Sequence, residues 1–358
     1  MSAAVQVESQ EPEIISEIHG NVGLISLNRP RALNSLNLGM IREMMRVLQG
    51  WAENDQVKFV VIEGVGDKAF CAGGDIRSVY QARLEGKNEY KDEMFREEYE
   101  LNYYISKYPK PYVSLINGIC MGGGMGVSVH GSHRIVTDKA IMAMPETGIG
   151  FFPDVGGSYF LNRCPGHVGM FMAITGEKIS GADAIYAGLA THYVPSDKMD
   201  TLRSDLLSAK KASDIDSILT QYVVHSPESD LAQHQNLIDS IFDGKTIQES
   251  LDKLYASNHS KAYELVRVIA KKSPMSMAVT FTLLTRTKRM SLKKCLELEF
   301  RLSQKFVGSY DFFEGVRALL IDKDNNPKWQ PNHLNKVKVS EVRTYFKDLG
   351  SKELKLAR

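Results

Sequence analysis

At 358 residues the chain is longer than a typical single domain, and 43% hydrophobic with 24% charged residues is ordinary for a soluble globular fold that buries a large core without staples. Its 44 Lys and Arg nearly balance 43 Asp and Glu. That excludes the one-signed field expected of a nucleic-acid or membrane-surface protein, so an anionic ligand has to be held by local groups. Cys71, Cys120, Cys164 and Cys295 lie far apart, with no CxxC and no histidine at zinc-finger spacing. They signal neither a metal site nor a disulfide framework and read as reduced thiols inside a cell.

The first 28 residues hold no Lys or Arg but carry Glu8, Glu11, Glu13 and Glu17. A signal peptide needs a basic start and a transit peptide is Arg-rich and poor in acid, so this segment is neither. The final Leu356-Ala357-Arg358 is not the SKL-type address, and no apolar run is long enough to span a bilayer. The expected location is the cytoplasm, with the mitochondrial matrix as the alternative if a transit segment has been removed.

In chain order, residues 21–27 (NVGLISL) read as a strand. Asn37 reads as the N-cap of a helix whose apolar face holds Ile41, Met44, Met45, Leu48 and Trp51. Residues 59–62 (FVVI) suit a buried strand leaving through Gly64 and Gly66, and the charged stretch 80–100 reads as helical. Residues 111–116 (PYVSLI) and 134–136 (RIV) are the next strands. Strands alternating with helices imply crossover units, hence the α/β class. Beyond about residue 199 nothing reads as strand, and Ser273-Pro274 is a strong helix start. The expected organisation is a tail over 1–14, a core over 15–200 and a helical region over 201–358 packed on the core.

Three segments carry chemical potential. Residues 69–76 (AFCAGGDI) place paired glycines after a strand, where backbone N–H groups can meet a ligand, although a tight turn capped by Asp75 explains them equally well. Residues 117–126 (NGICMGGGMG) put three glycines between a strand and a helix, suiting an oxyanion or phosphate at the helix N-terminus or close helix–sheet contact. GxGxxG fails because Val127 occupies the third glycine position, and no GxxxxGK[ST] occurs, which weighs against nucleotide binding. Residues 144–157 (MPETGIGFFPDVGG) set Glu146 and Asp154 in an apolar stretch, where desolvation raises a carboxylate pKa toward the range general acid–base work requires. No GxSxG elbow is present, which argues against a serine thioesterase. His130 and His133 read as structural, and Arg286, Lys288, Arg289, Lys293 and Lys294 as a solvated basic face on one helix.

The order of NRPRALN (28–34), FCAGGDI (70–76), the Gly122–Gly124 run and Pro145-Glu146 resembles the crotonase (enoyl-CoA hydratase/isomerase) superfamily. The likeness extends over roughly residues 15–195, with a shorter tail match at Glu314-Gly315 and Lys323. It implies an α/β fold with a ββα spiral core and a helical C-terminal region. It also implies an acyl-CoA thioester as the small-molecule partner, with no metal and no cofactor beyond the CoA of the substrate. The amides of Gly74 and Gly123 would form an oxyanion hole, and Arg31, Leu33, Ala72, Asp75, Ile76 and Lys323 would line the CoA site.

Gly126 occupies the position of the first glutamate in the superfamily's hydratases, leaving Glu146 alone. With FREEY (95–99), SVHG (128–131), FPDVGG (152–157) and DFFEGVRA (311–318), the chain resembles the thioester hydrolases of the superfamily. The implied substrate is a short 3-hydroxyacyl-CoA, 3-hydroxyisobutyryl-CoA from valine catabolism foremost and 3-hydroxypropionyl-CoA next. Glu146 would activate water or attack directly, Asp154 would hold the 3-hydroxyl or share the proton, and Glu98 would help define the acyl pocket. An enoyl-CoA hydratase or isomerase and a non-catalytic acyl-CoA-binding protein are the competing readings. Homo-oligomerisation, frequent among crotonases, is left open by the extra helical region.

Overall fold

The computed structural model describes residues 11–357. Most of the expected N-terminal tail, together with the acidic Glu8, therefore lies outside the described residues. β1 (Ile14–His19), β2 (Val22–Leu27), β3 (Phe59–Gly64), β5 (Tyr112–Ile116), β7 (His133–Val136) and β10 (His192–Tyr193) form one sheet in that order. β4 (Ala69–Cys71), β6 (Ile119–Met121), β8 (Ile141–Ala143) and β9 (Ile179–Ser180) form a second. β2, β3, β5, β7 and β10 pair in parallel, whereas β1 is antiparallel to β2. Consecutive strands such as β3 and β4, or β5 and β6, thus contribute one to each sheet before a helix returns the chain, which is the ββα spiral.

Period-two alternation builds two cores from these strands. Val22, Leu24, Phe59, Val61, Val113, Leu115 and Ile135 share one cluster. It is closed by the helices Met199–Ser208 and Asp214–Leu219 through Leu202, Leu206 and Ile215. Ile25, Leu27, Val60, Ile62, Ile116 and Val136 join the main core on the opposite face. Each fully buried aliphatic side chain contributes about 1.5–3 kcal/mol, so both faces favour this register over a one-residue slip.

α1 (Leu38–Glu53) starts where expected: the Asn37 side chain accepts a hydrogen bond from Met40 N at 2.9 Å. The single helix expected over 80–100 is instead two, α2 (Ile76–Leu84) and α3 (Asn88–Ser106). Gly86, with φ +75°, breaks them apart in a conformation other residues resist. The short strands β4, β6, β8 and β9 were not expected, because two or three residues cannot display an alternation. β1 was also missed.

Among the described residues, no strand follows β10, and no helix is long and apolar enough to cross a membrane. Ser273 caps the helix Pro274–Thr287, accepting from Ser276 N at 3.0 Å. The basic residues 286–294 do not share one helix. Arg286 lies near the end of Pro274–Thr287, while Lys293 and Lys294 open the helix Leu292–Phe306, whose N-cap is Ser291. A polar Lys-Arg-Met-Ser turn separates the two, and Arg286 stacks 4.2 Å over Phe346.

Candidate active site

Two glycine turns meet between the sheets. After β4, Gly73 takes φ +120°. The chain then pairs with Leu36, whose N–H donates to Gly73 O at 2.8 Å and whose carbonyl accepts from Asp75 N at 2.7 Å. After β6, Gly122 takes φ +46° and α4 (Gly123–Gly126) begins. Among the described residues the N–H groups of Gly74 and Gly123 have no acceptor. The two turns lie close together: a Cβ at position 123 would lie 3.0 Å from Gly74 N and 2.6 Å from Glu98 Oε1. A side chain at position 123 would therefore intrude on both Gly74 N and the Glu98 carboxyl.

Three carboxylates surround this point. Glu98 on α3, Glu146 at the start of the 3-10 turn Glu146–Ile149, and Asp154 in the following loop are only 3%, 7% and 5% exposed. Among the described residues Glu98 Oε1 and Glu146 Oε2 have no hydrogen-bond partner, whereas Asp154 accepts from Tyr99 Oη at 2.7 Å. An unpartnered buried carboxylate oxygen is costly and is tolerated where a reactant or water completes it. Glu146 Oε1 also lies against Gly122, 2.7 Å from where a Cβ would project.

The C-terminal region holds Glu146 in place. Ser273 N donates to Thr147 O at 3.0 Å, and Gly315 lies so close to Ile149 that a Cβ there would come within 2.4 Å of its carbonyl carbon. Phe151 stacks on Phe95 at 5.4 Å and Phe152 on Phe306 at 5.3 Å, each pair adding about 0.5–1.5 kcal/mol beyond area burial.

Burial is the main cause that raises all three acids. Glu146 is pushed well up by desolvation and then by Asp154, with Lys272 pulling the other way. Glu98 rises for the same two reasons. Asp154 is pushed up to about 7 by burial, despite the Tyr99 hydroxyl. Glu299, buried nearby, also rises to about 7 through desolvation.

Between roughly pH 4 and 7 the folded protein therefore keeps protons that the unfolded chain has released. The stabilisation from these groups is complete below pH ~4 and is lost as pH rises through about 7. His130, pushed down to about 4 by burial, acts oppositely but is nearly spent above its ordinary value near 6.5. Thermal denaturation at pH 6 and pH 8 is expected to show the higher melting temperature at pH 6, by on the order of 1 kcal/mol per carboxyl, or a few degrees. A higher value at pH 8 would contradict protonated acids in the folded state.

The expected CoA-site residues divide into two groups. Leu33, Ala72, Asp75 and Ile76 are half-buried neighbours, joined by Ala72 N to Leu33 O at 2.9 Å, and Arg31 is exposed on the adjoining 3-10 turn. The Asp75 carboxylate is already engaged, capping α2 at Ser78 N and pairing with Arg29 at 3.1 Å, and its backbone N–H donates to Leu36 O, so Asp75 shapes this rim as a structural residue. Lys323 is exposed on a separate turn, in a segment tied to α2 by Arg77 Nη2 donating to Leu320 O at 2.5 Å.

Sequence reasoning missed Tyr99, Asn102 and Glu299. Tyr99 stands beside Glu98 within the FREEY segment, which was the available signal. Glu299 falls on the apolar stripe Cys295-Leu296-Phe300-Leu302, where an acid is out of place. His130, read as structural, does touch the site loop, its Nε2 2.8 Å from Val155 O. At position 126 a Cβ would meet Val155 Cβ at 2.7 Å and Asn102 Nδ2 at 3.0 Å, so the space is closed to a glutamate.

The fold is that of an acyl-CoA enzyme class. Residues 22–346 match the family described as enoyl-CoA hydratase/isomerase, and the chain belongs to that family. Its curated relatives include the mitochondrial 3-hydroxyisobutyryl-CoA hydrolases of Bos taurus and Homo sapiens. Each is 45% identical over 350 residues, covering 96% of this chain and 90% of theirs. Among solved structures, a carnitinyl-CoA dehydratase from Mycobacterium thermoresistibile aligns with TM-score 0.91 at 40% identity, over 96% of this chain and 99% of that one. An enoyl-CoA hydratase from Rhodobacter sphaeroides 2.4.1 aligns with TM-score 0.90 at 35% identity, over 96% and 100%.

Proposed function

We propose that the protein hydrolyses the thioester of a short 3-hydroxyacyl-CoA, with 3-hydroxyisobutyryl-CoA, an intermediate of valine catabolism, as the substrate. The observation that carries this reading is the pair of amides at Gly74 and Gly123, without acceptors among the described residues, beside the open Oε2 of Glu146, with position 126 closed. Hydration of a double bond in this superfamily draws on a second glutamate at that position. Thioester cleavage needs only polarisation of one carbonyl and one base or nucleophile.

In this reading the carbonyl oxygen accepts from the Gly74 and Gly123 amides, which bind it more strongly as negative charge develops. Glu146 removes a proton from water as the water oxygen bonds to the carbonyl carbon, or attacks that carbon to form an anhydride that water then opens. In either case the C–S bond breaks and the CoA sulfur leaves as thiolate and takes up a proton. Asp154, supported by Tyr99, receives the 3-hydroxyl, and Glu98 closes the acyl pocket. The half-buried rim of Leu33, Ala72, Asp75 and Ile76, with Arg31 and Lys323, receives the nucleotide of CoA. No cofactor is required beyond the CoA of the substrate, because the amides do the polarising. The mitochondrial designation of the relatives supports the mitochondrion over the cytoplasm.

Thiol release is measured on 3-hydroxyisobutyryl-CoA, 3-hydroxypropionyl-CoA, crotonyl-CoA and butyryl-CoA. Release from the two hydroxyacyl thioesters alone is expected. A pocket separates these two, which differ by one methyl, by only about 1–3 kcal/mol. Loss of crotonyl absorbance without thiol release would instead give the activity that the two solved neighbours' names describe. Silence on both would leave a binding protein.

A further inference from the structure

The loop that presents Asp154 is held in an unfavourable shape. Val155 has φ +52°, a left-handed conformation that a β-branched residue resists, and Gly156 follows at φ +84°. Such a residue persists only where its surroundings over-determine it. Here the peptide joining Val155 to Gly156 is pinned at both ends. Its oxygen accepts from His130 Nε2 at 2.8 Å, and its N–H donates to Glu299 Oε2 at 2.7 Å. Glu299 Oε1 accepts from Ser158 N at 2.9 Å and Ser158 Oγ at 2.5 Å, and Gly157 N closes the turn on Asp154 O at 2.6 Å.

Glu299 is fully buried, and among the described residues no Lys or Arg pairs with it. A buried carboxylate without a cation needs a reason, and three converging donors on one loop supply it. We infer that Glu299 and His130 are positioning residues for Asp154, acting by clamping the strained Val155–Gly156 peptide from opposite sides. The inference rests on the proposed role of Asp154. The clamp also seats the Val155 side chain in the space beside Gly126 and Asn102.

In Glu299→Gln the shape is kept, but an NH2 must face either the Gly156 N–H or the Ser158 donors. Misplacing Asp154 by a fraction of an ångström to an ångström lowers kcat by up to on the order of 10²-fold. KM is expected to change much less. A second signature follows from charge. The groups facing Asp154 are Glu98 and Tyr99 from α3, Glu146 from the 3-10 turn, and Glu299 from Leu292–Phe306. Glu299 is among the causes that raise the Asp154 carboxyl, and Asp154 in turn is among those that raise Glu146, so Glu299→Gln shifts the pH dependence of the rate.

The experiment measures kcat, KM and the pH–rate profile for 3-hydroxyisobutyryl-CoA thiol release, with a melting curve for each variant. Glu299→Gln is expected to lose kcat with a shifted pH profile, and His130→Leu to lose kcat without that shift. Adding Val155→Gly to Glu299→Gln is expected to recover part of the loss, because glycine holds φ +52° unaided. Unchanged kcat and pH profile in both single variants, with only lower melting temperatures, would overturn the clamp. Asp154→Asn separates the two ideas: full activity there overturns the role of Asp154 itself, whereas loss there with none in Glu299→Gln overturns only the clamp.

Discussion

Replacing Glu146 by alanine is expected to lower kcat for thiol release by on the order of 10³-fold, while CoA still binds at nearly its original affinity. The carboxylate is buried, its Oε2 lacks a partner among the described residues, and its Oε1 lies against the Gly122 turn. Every proton transfer or bond formation at the carbonyl carbon passes through this one group in the proposed reaction. The expected CoA contacts lie elsewhere, Leu33 at the end of the 3-10 turn Pro30–Ala32 and Ala72 and Ile76 between β4 and the start of α2, so binding does not depend on it. Titration with CoA alongside steady-state thiol release separates the two effects. A near-normal kcat in this variant would remove Glu146 from the chemistry.

Gly123→Ala carries the second large effect. Its Cβ would sit 3.0 Å from Gly74 N and 2.6 Å from Glu98 Oε1, in the space the thioester oxygen is to occupy. The position precedes no unusual φ of its own, so an alanine helix start is compatible with folding; only the flexible end of Glu98 and the neighbouring loop must yield. Losing effective access to two oxyanion donors is expected to reduce kcat by on the order of 10²–10³-fold. An intact melting curve with lost thiol release is the expected pair of results. Retained turnover would mean that the carbonyl oxygen lies elsewhere.

Much of this site is legible along the chain because its parts are local. A run of glycines between a strand and a helix, and two acids in an apolar loop, violate ordinary composition within a dozen residues. The Asn37 and Ser273 caps are similarly local, since a cap and the amide it receives are two or three residues apart. The break between α2 and α3 had its signal in Gly86 but was obscured by the continuous charge around it.

What the linear pattern does not contain is which distant groups meet. Glu299 reaches its loop partners across 143 and 141 residues, and its helix presents an ordinary amphipathic stripe apart from that single acid. The buried, raised state of Asp154 and Glu146 likewise depends on α3, the phenylalanine stack and the C-terminal helices closing over them. The order of motifs thus determined the family, the glycine turns and the two principal acids, because backbone conformation and local polarity are properties of short segments. Only the tertiary structure decided that Gly74 and Gly123 come together, that position 126 is filled by Val155 and Asn102, and that Tyr99, His130 and Glu299 hold the loop, because desolvation and hydrogen-bond geometry arise from packing between segments.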